Sequence, residues 1–169
     1  ETSCDETAIS LLEISGKLEK PDIKVLGDSL LSQIDLHEKY GGVYPNLAKR
    51  EHEKNLPILL KKTLKEAGES LESPLIDAIA VTEGPGLEPA LWVGINFALD
   101  LGRKWGKPVI PVNHMEGHIF STLYKMKEKD SLKLPALALL VSGGHTELVV
   151  VEDFRNYERA DQHNSIGED

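Results

Sequence analysis

Strand-forming and helix-forming segments alternate along this chain, and the clearest stretch of that alternation runs from residue 76 to residue 112. Ile76-Asp-Ala-Ile-Ala-Val-Thr82 is rich in β-branched residues and reads as a buried strand. Glu83-Gly-Pro-Gly-Leu87 follows, a composition that only a tight loop accommodates. Pro89 opens a helix carried by Leu91, Ile95, Ala98, Leu99 and Leu101; Gly106 stops it, and Pro108 to Val112 is a second short strand. This succession predicts an α/β fold, one sheet with helix layers packed on it.

The flanking segments extend the pattern. Apolar runs at 8–14 and 23–31 are two strands of one sheet. After the break at Gly41-Gly42, Pro45 sits well in the first turn of a helix carried by Leu47, Leu56, Leu59, Leu60 and Leu64; Pro57 should kink or break it, and it should end near Gly68. His114 to Met126 fits another helix, and Ala136 to Val141 and Leu148 to Val151 are strands joined by Ser142-Gly-Gly-His-Thr146. From Asp153 to Asp169 the chain is polar and aperiodic and stops without a closing element, and it begins at Glu1 rather than Met, so it reads as a piece of something longer.

Composition excludes several classes. With 19 basic and 28 acidic side chains the formal net charge is −9, which argues against nucleic-acid binding by bulk charge; any RNA contact must be local or shared with a partner. Hydrophobic residues at 40% and charged residues at 28% rule out disorder and fibrous structure. No apolar run approaches the ~20 residues that span a bilayer, so no membrane association is expected. A single Cys4 excludes a disulfide framework and agrees with a reducing compartment.

Two features carry chemistry. At Gly143-Gly144 consecutive backbone N–H groups can converge on an anion, with Ser142 and Thr146 beside them; an ordinary hairpin turn is the plainer reading. The polar turn Thr2-Ser3-Cys4-Asp5-Glu6-Thr7 resembles it, and two such turns would suit a nucleotide held between lobes. In His114-Met-Glu-Gly-His118 the imidazoles lie ~6 Å apart along a helix and within ~40° around it, close enough to share a metal, although a third ligand must come from elsewhere. A capping His114 with an interior His118 explains the pair equally well. A zincin-type protease is disfavoured: Met115 occupies the position of the general base, and Glu116 is rotated ~200° from His114, off the shared face.

Lesser candidates read blandly. Lys49, Arg50, His52 and Lys54, with Lys61, Lys62 and Lys65, form a solvated helical face, Arg103, Lys104 and Lys107 complement a helix dipole, and Trp92 and Trp105 are packing residues. Cys4 has no base partner and is no nucleophile.

Taken in order, Glu1-Thr-Ser-Cys-Asp-Glu-Thr7, Gly41-Gly-Val-Tyr-Pro45 with Arg50 and His52, Thr82-Glu-Gly-Pro-Gly86, Asn113-His-Met-Glu-Gly-His118 and Leu140-Val-Ser-Gly-Gly-His-Thr-Glu147 resemble the tRNA threonylcarbamoyladenosine transferase family, from residue 1 to about 153. The resemblance implies an actin-like, sugar-kinase-like and Hsp70-like ATPase fold, with residues 1–134 as the first lobe and 135–169 as the opening hairpin of the second lobe with an irregular truncated tail. It implies transfer of a threonylcarbamoyl group from threonylcarbamoyl-AMP to the exocyclic amine of the adenosine beside the anticodon of tRNAs. Carried over by position, His114 and His118 are ligands of one divalent metal per subunit, iron or zinc. Leu140, Val141, Ser142, Gly143 and Gly144 cradle the phosphate and adenylate of the nucleotide, and Asp5 is a catalytic or metal-linked carboxylate. The implied partners are tRNA, a smaller paralogous actin-like subunit and an ATPase subunit. The implied location is cytoplasmic in a bacterial setting or mitochondrial in an organellar one.

The chain also departs from that family. The later nucleotide-contacting region, the following asparagine and the late aspartate that completes the metal site are absent, Arg159 to Ser165 diverges, and Asn46 stands where a glutamate is usual. The chain alone is therefore expected to fold at least partly and to lack transferase activity. A different reading is a non-catalytic actin-like interaction module that heterodimerises with a related subunit; paired imidazoles, which a scaffold does not need, favour the enzyme.

Overall fold

A computed structural model describes residues 1–17, 20–125, 134–141, 146–152 and 157–159. The chain is α/β and divides into two compact units, Glu1–His114 and Met115–Asp169. Within the second unit, Ile119 packs with Val149 and Val151 of the second hairpin.

In the first unit, β1 (Glu6–Lys17) and β2 (Lys20–Ser32) pair antiparallel, with a register irregularity at Leu11/Leu12. The two strands expected there are present and longer than their apolar runs. A short helix, α1 (Ile34–His37), and a 3-10 turn (Glu38–Tyr40) lead to Gly41, whose φ of 71° is left-handed. Helix α2 (Pro45–Glu66) then packs Ala48, Leu56, Leu59, Leu60 and Leu64 into the core. It runs unbroken through Pro57, contrary to the expected break. Pro57 is exposed while the residues on either side of its turn are anchored, so packing of the inner face outweighs the lost backbone hydrogen bond.

Strand β3 (Ile79–Gly84) pairs parallel with β4 (Val109–Asn113), and α3 (Glu88–Trp105) connects them. β3 begins later than expected and takes in Glu83 and Gly84 from the expected loop. Its partner strand runs out at Pro108, which has no N–H to donate, so pairing cannot extend back to Ile76. Only Val81 and Thr82 of β3 are buried. Gly106 caps α3 in the left-handed conformation, as its position predicted.

In the second unit, α4 (His114–Lys125), which begins at the last residue of the first unit, lies beside a three-stranded antiparallel sheet ordered β5 (Ala136–Val141), β6 (Thr146–Val151) and β7 (Tyr157–Arg159). β7 corrects the expectation of a tail without structure: strand pairing uses backbone groups and needs no apolar periodicity. Met126 at the expected end of α4 lies outside the described residues.

The single sheet expected from the alternation is three small ones among the described residues. Residues 1–5 form a turn that meets its neighbours through isolated hydrogen bonds, Ala8 N–H to the Glu1 carbonyl and Leu87 N–H to the Ser3 carbonyl, instead of a ladder. No described helix is long and apolar enough to cross a membrane.

Candidate functional site

The parallel pair β3–β4 fixes the first cluster. Ligand sites of parallel sheets gather at the carboxyl ends of the strands. Here Thr82 lies near the end of β3, and His114 follows β4 directly. The 1–5 turn is pressed against this edge: the Thr2 hydroxyl donates to the Ala90 carbonyl at 2.9 Å, and Leu87 N–H reaches the Ser3 carbonyl at 2.7 Å. Gly86 and Gly94 permit the approach, since a Cβ at either would overlap Ser3 or Thr2.

That seating delivers the Glu1 carboxylate into contact with His114. One oxygen accepts from the Thr82 hydroxyl at 2.6 Å and from His114 Nδ1 at 3.2 Å; the other accepts the Ser3 N–H. Burial opposes ionisation of Glu1. The hydrogen bonds from His114, Ser3 and Thr82 outweigh it and hold the carboxyl well below the usual range. A carboxylate only accepts, so Nδ1 carries the proton. In the neutral ring, Nε2 is then the lone-pair nitrogen, accepting from the Ser3 hydroxyl at 3.3 Å.

A second cluster lies under the same turn. His52 has no exposed surface, and its Nε2 is 3.0 Å from the Cys4 carbonyl, so Nε2 carries the proton. Nδ1 then accepts from the Thr7 hydroxyl at 2.8 Å and from Gln33 Nε2 at 3.4 Å. The Gln33 amide oxygen accepts from His37 Nε2 at 3.0 Å, and His37 Nδ1 accepts the Tyr44 N–H at 3.3 Å. Every ring nitrogen in this set has one role compatible with its partners. Burial pushes the His52 pKa down, in keeping with a neutral ring.

This overturns the expectation that His52 belongs to a solvated face. Ala48, His52, Asn55, Leu56 and Leu59 share the inward side of α2, and the phase of His52 with Ala48 and Leu56 was the signal available in the sequence. The rest of the basic stretch is exposed or partly so, with Lys54 paired to Glu51 at 3.3 Å.

Asp5 is half-buried on the turn these clusters hold, and its carbonyl accepts the Gln33 N–H at 2.9 Å. Partial burial and the charge of Asp5 raise the neighbouring Glu6 carboxyl. The same influences push the Cys4 thiol up to about 11, so Cys4 is no thiolate nucleophile at neutral pH.

His114 opens α4, and His118 stands one turn later on the same helix. His118 is exposed rather than interior. No three His, Cys, Asp or Glu side chains among the described residues form a metal cage. Leu140 packs against the Ile119, Val149 and Val151 cluster, and Val141 at the strand end is exposed. Ser142, Gly143 and Gly144 lie outside the described residues. Trp92 is half exposed, not a packing residue, whereas Trp105 is more covered and donates its indole N–H to the Leu71 carbonyl at 3.2 Å. Sequence reasoning missed Glu1, Thr82, Gln33 and His37, none of which lies in a periodic pattern.

The family model described as TsaD, tRNA N6-adenosine threonylcarbamoyltransferase, matches residues 24–169. The chain belongs to the TsaD family. Curated TsaD relatives named tRNA N6-adenosine threonylcarbamoyltransferase include those of Thermomicrobium roseum, 46% identical over 93% of this chain and 41% of the relative, and Thermosipho africanus, 46% identical over 90% and 42%. The Staphylococcus aureus TsaD relative is 44% identical over 94% of this chain and 42% of its own length. The chain thus spans less than half the length of these TsaD relatives.

Proposed function

We propose that this chain supplies the first actin-like lobe, and the opening hairpin of the second, of a tRNA-modifying acyltransferase. The reaction joins the exocyclic nitrogen of the adenosine beside the anticodon to the carbamoyl carbon of threonylcarbamoyl-AMP, and AMP leaves. Membership of the TsaD family supports this reading. The observation that carries it to the site is the His114 ring at the carboxyl edge of β3–β4, held by the half-buried carboxylate of Glu1 with the ring's lone pair on Nε2.

His114 and His118 would hold one iron or zinc ion, with further ligands from outside the described residues. When bound, such an ion supplies Lewis-acid polarisation of an oxygen on the acyl donor. Asp5 is assigned the proton released by the attacking nitrogen as the new N–C bond forms and the bond to the adenylate phosphate breaks. The amides of Leu140 to Gly144 are assigned the phosphate of the leaving AMP. The partners in this reading are tRNA, a smaller paralogous actin-like subunit and an ATPase subunit, in a cytoplasmic or organellar setting. The chain of 169 residues by itself is assigned no turnover, because the remaining metal and nucleotide contacts are not on it.

The test is adenosine modification by the complete protein with its partner subunits. Asp5→Asn should lower the rate by a factor of ~100 or more, and His114→Ala with His118→Ala should abolish both bound metal and activity. Unchanged bound iron or zinc in the double variant would favour a non-catalytic interaction module.

A further inference from the structure

We propose that Glu1 is a positioning residue for His114: its carboxylate holds the ring in the Nδ1–H tautomer and presents Nε2 as the ligating atom. The inference rests on the reading of His114 as a metal ligand and extends it to a residue that supplies no ligand atom. Histidines that bind metals commonly give their other N–H to a carboxylate, which fixes ring orientation and raises the basicity of the ligating nitrogen.

Three features go beyond a chance contact. The carboxylate is spent on oriented partners: the Thr82 hydroxyl and the His114 ring share one oxygen, and the Ser3 N–H takes the other. Those partners come from the amino-terminal turn, from β3 and from the residue after β4, so the anion sits where the parallel pair ends. The turn is also clamped, by the Thr2 hydroxyl on Ala90 and by the space that Gly86 and Gly94 leave open, which fixes where Glu1 can reach. A carboxylate there for stability alone would not need to select between ring nitrogens, and this one leaves a single choice.

The experiment uses the complete protein, stripped of metal and titrated with zinc against a competing chelator. The ring tautomer of His114 is read in parallel by ¹⁵N NMR of the metal-free protein. Glu1→Ala should weaken zinc binding by ~10–100-fold and lose the preference for Nδ1–H. Glu1→Gln, close in shape but uncharged, should weaken it less, and Thr82→Val, which touches the carboxylate and not the ring, least. Unaltered zinc affinity and tautomer in Glu1→Ala, with binding abolished in His114→Ala, would overturn the inference and leave the metal reading standing. Unaltered zinc affinity in His114→Ala would remove the metal reading, and the inference with it. Matching melting curves for Glu1→Gln and wild type separate a local effect from misfolding.

Discussion

His52 donates its Nε2–H to the carbonyl of Cys4 at 3.0 Å from a ring with no exposed surface, across 48 residues of sequence. The bond ties the middle of α2 to the turn that carries Asp5, and the opposite nitrogen accepts from Thr7 on the far side of that turn. Truncating this ring removes packed volume, deprives the Thr7 hydroxyl and the Cys4 carbonyl of their partner, and leaves the Gln33 amide nitrogen only the Ala48 carbonyl at 3.5 Å. Each buried polar group left unpaired costs about 1–3 kcal/mol. His52→Ala should therefore lower the unfolding free energy by about 3 kcal/mol or more, whereas Thr7→Val, which removes one bond and leaves His52 Nδ1 to Gln33, should cost about 1 kcal/mol. Urea unfolding followed by Trp92 and Trp105 fluorescence measures both, and near-equal losses would contradict the network.

The same ring sets a pH dependence. Burial lowers the His52 pKa from its ordinary value of 6.5, so on acidification the unfolded chain takes up a proton that the folded chain resists. Stability from this group is therefore fully present above 6.5 and declines as pH falls below it toward the depressed folded value. Wild type should lose unfolding free energy between pH 6.5 and 5.5, and His52→Ala should show a shallower decline over that window. Chemical denaturation at stepped pH checks the slope difference; parallel slopes would mean the ring accepts its proton without cost.

Gly94 lies on α3 against Thr2. Alanine is the better helix former by about 1 kcal/mol, so propensity alone predicts that Gly94→Ala stabilises. The added Cβ would overlap the Thr2 hydroxyl, which is itself bonded to Ala90 and has nowhere to retreat. Gly94→Ala should instead destabilise by about 1–3 kcal/mol, as overpacking does. Gly117→Ala on α4, where nothing lies within 4 Å of the new Cβ, should not destabilise. Thermal melting of the pair decides between propensity and packing.

Pro57 interrupts the hydrogen-bond ladder of α2 while facing solvent. Pro57→Ala restores the missing N–H and gives back some unfolded-state entropy, terms of about 3 and 1 kcal/mol in opposite directions. A net gain of about 1–2 kcal/mol should appear as a higher melting temperature. A lower one would show that the ring itself packs usefully.

The parts of the fold that were legible in the sequence are those in which one segment carries its own signal. Pro89 and Gly106 bracket α3 because each has a backbone reason to stand at a helix end, and the leucines of α2 repeat at the helical period. What escaped depends on segments meeting. Glu1 and His114 are 113 positions apart, and neither residue announces the other. His52 hid inside Lys-Arg-Glu-His-Glu-Lys, where local polarity masked a position in phase with the core. Gln33 and His37 sit in and beside a helix of four residues, too short to show a period. β7 formed from polar residues because its partner strand β6 offered an open edge.

The run from Tyr44 through His37, Gln33 and His52 to Cys4 has a direction: each group passes a hydrogen one way only. Reversing any single member sets two donors or two acceptors face to face, so the members reorient together or not at all. The backbone at both ends is committed, an N–H at Tyr44 and a carbonyl at Cys4, and neither can exchange its part. Three stretches of chain with little in common locally are in this way held to one alignment, and the turn bearing Asp5 inherits its position from His52, 48 places beyond Cys4.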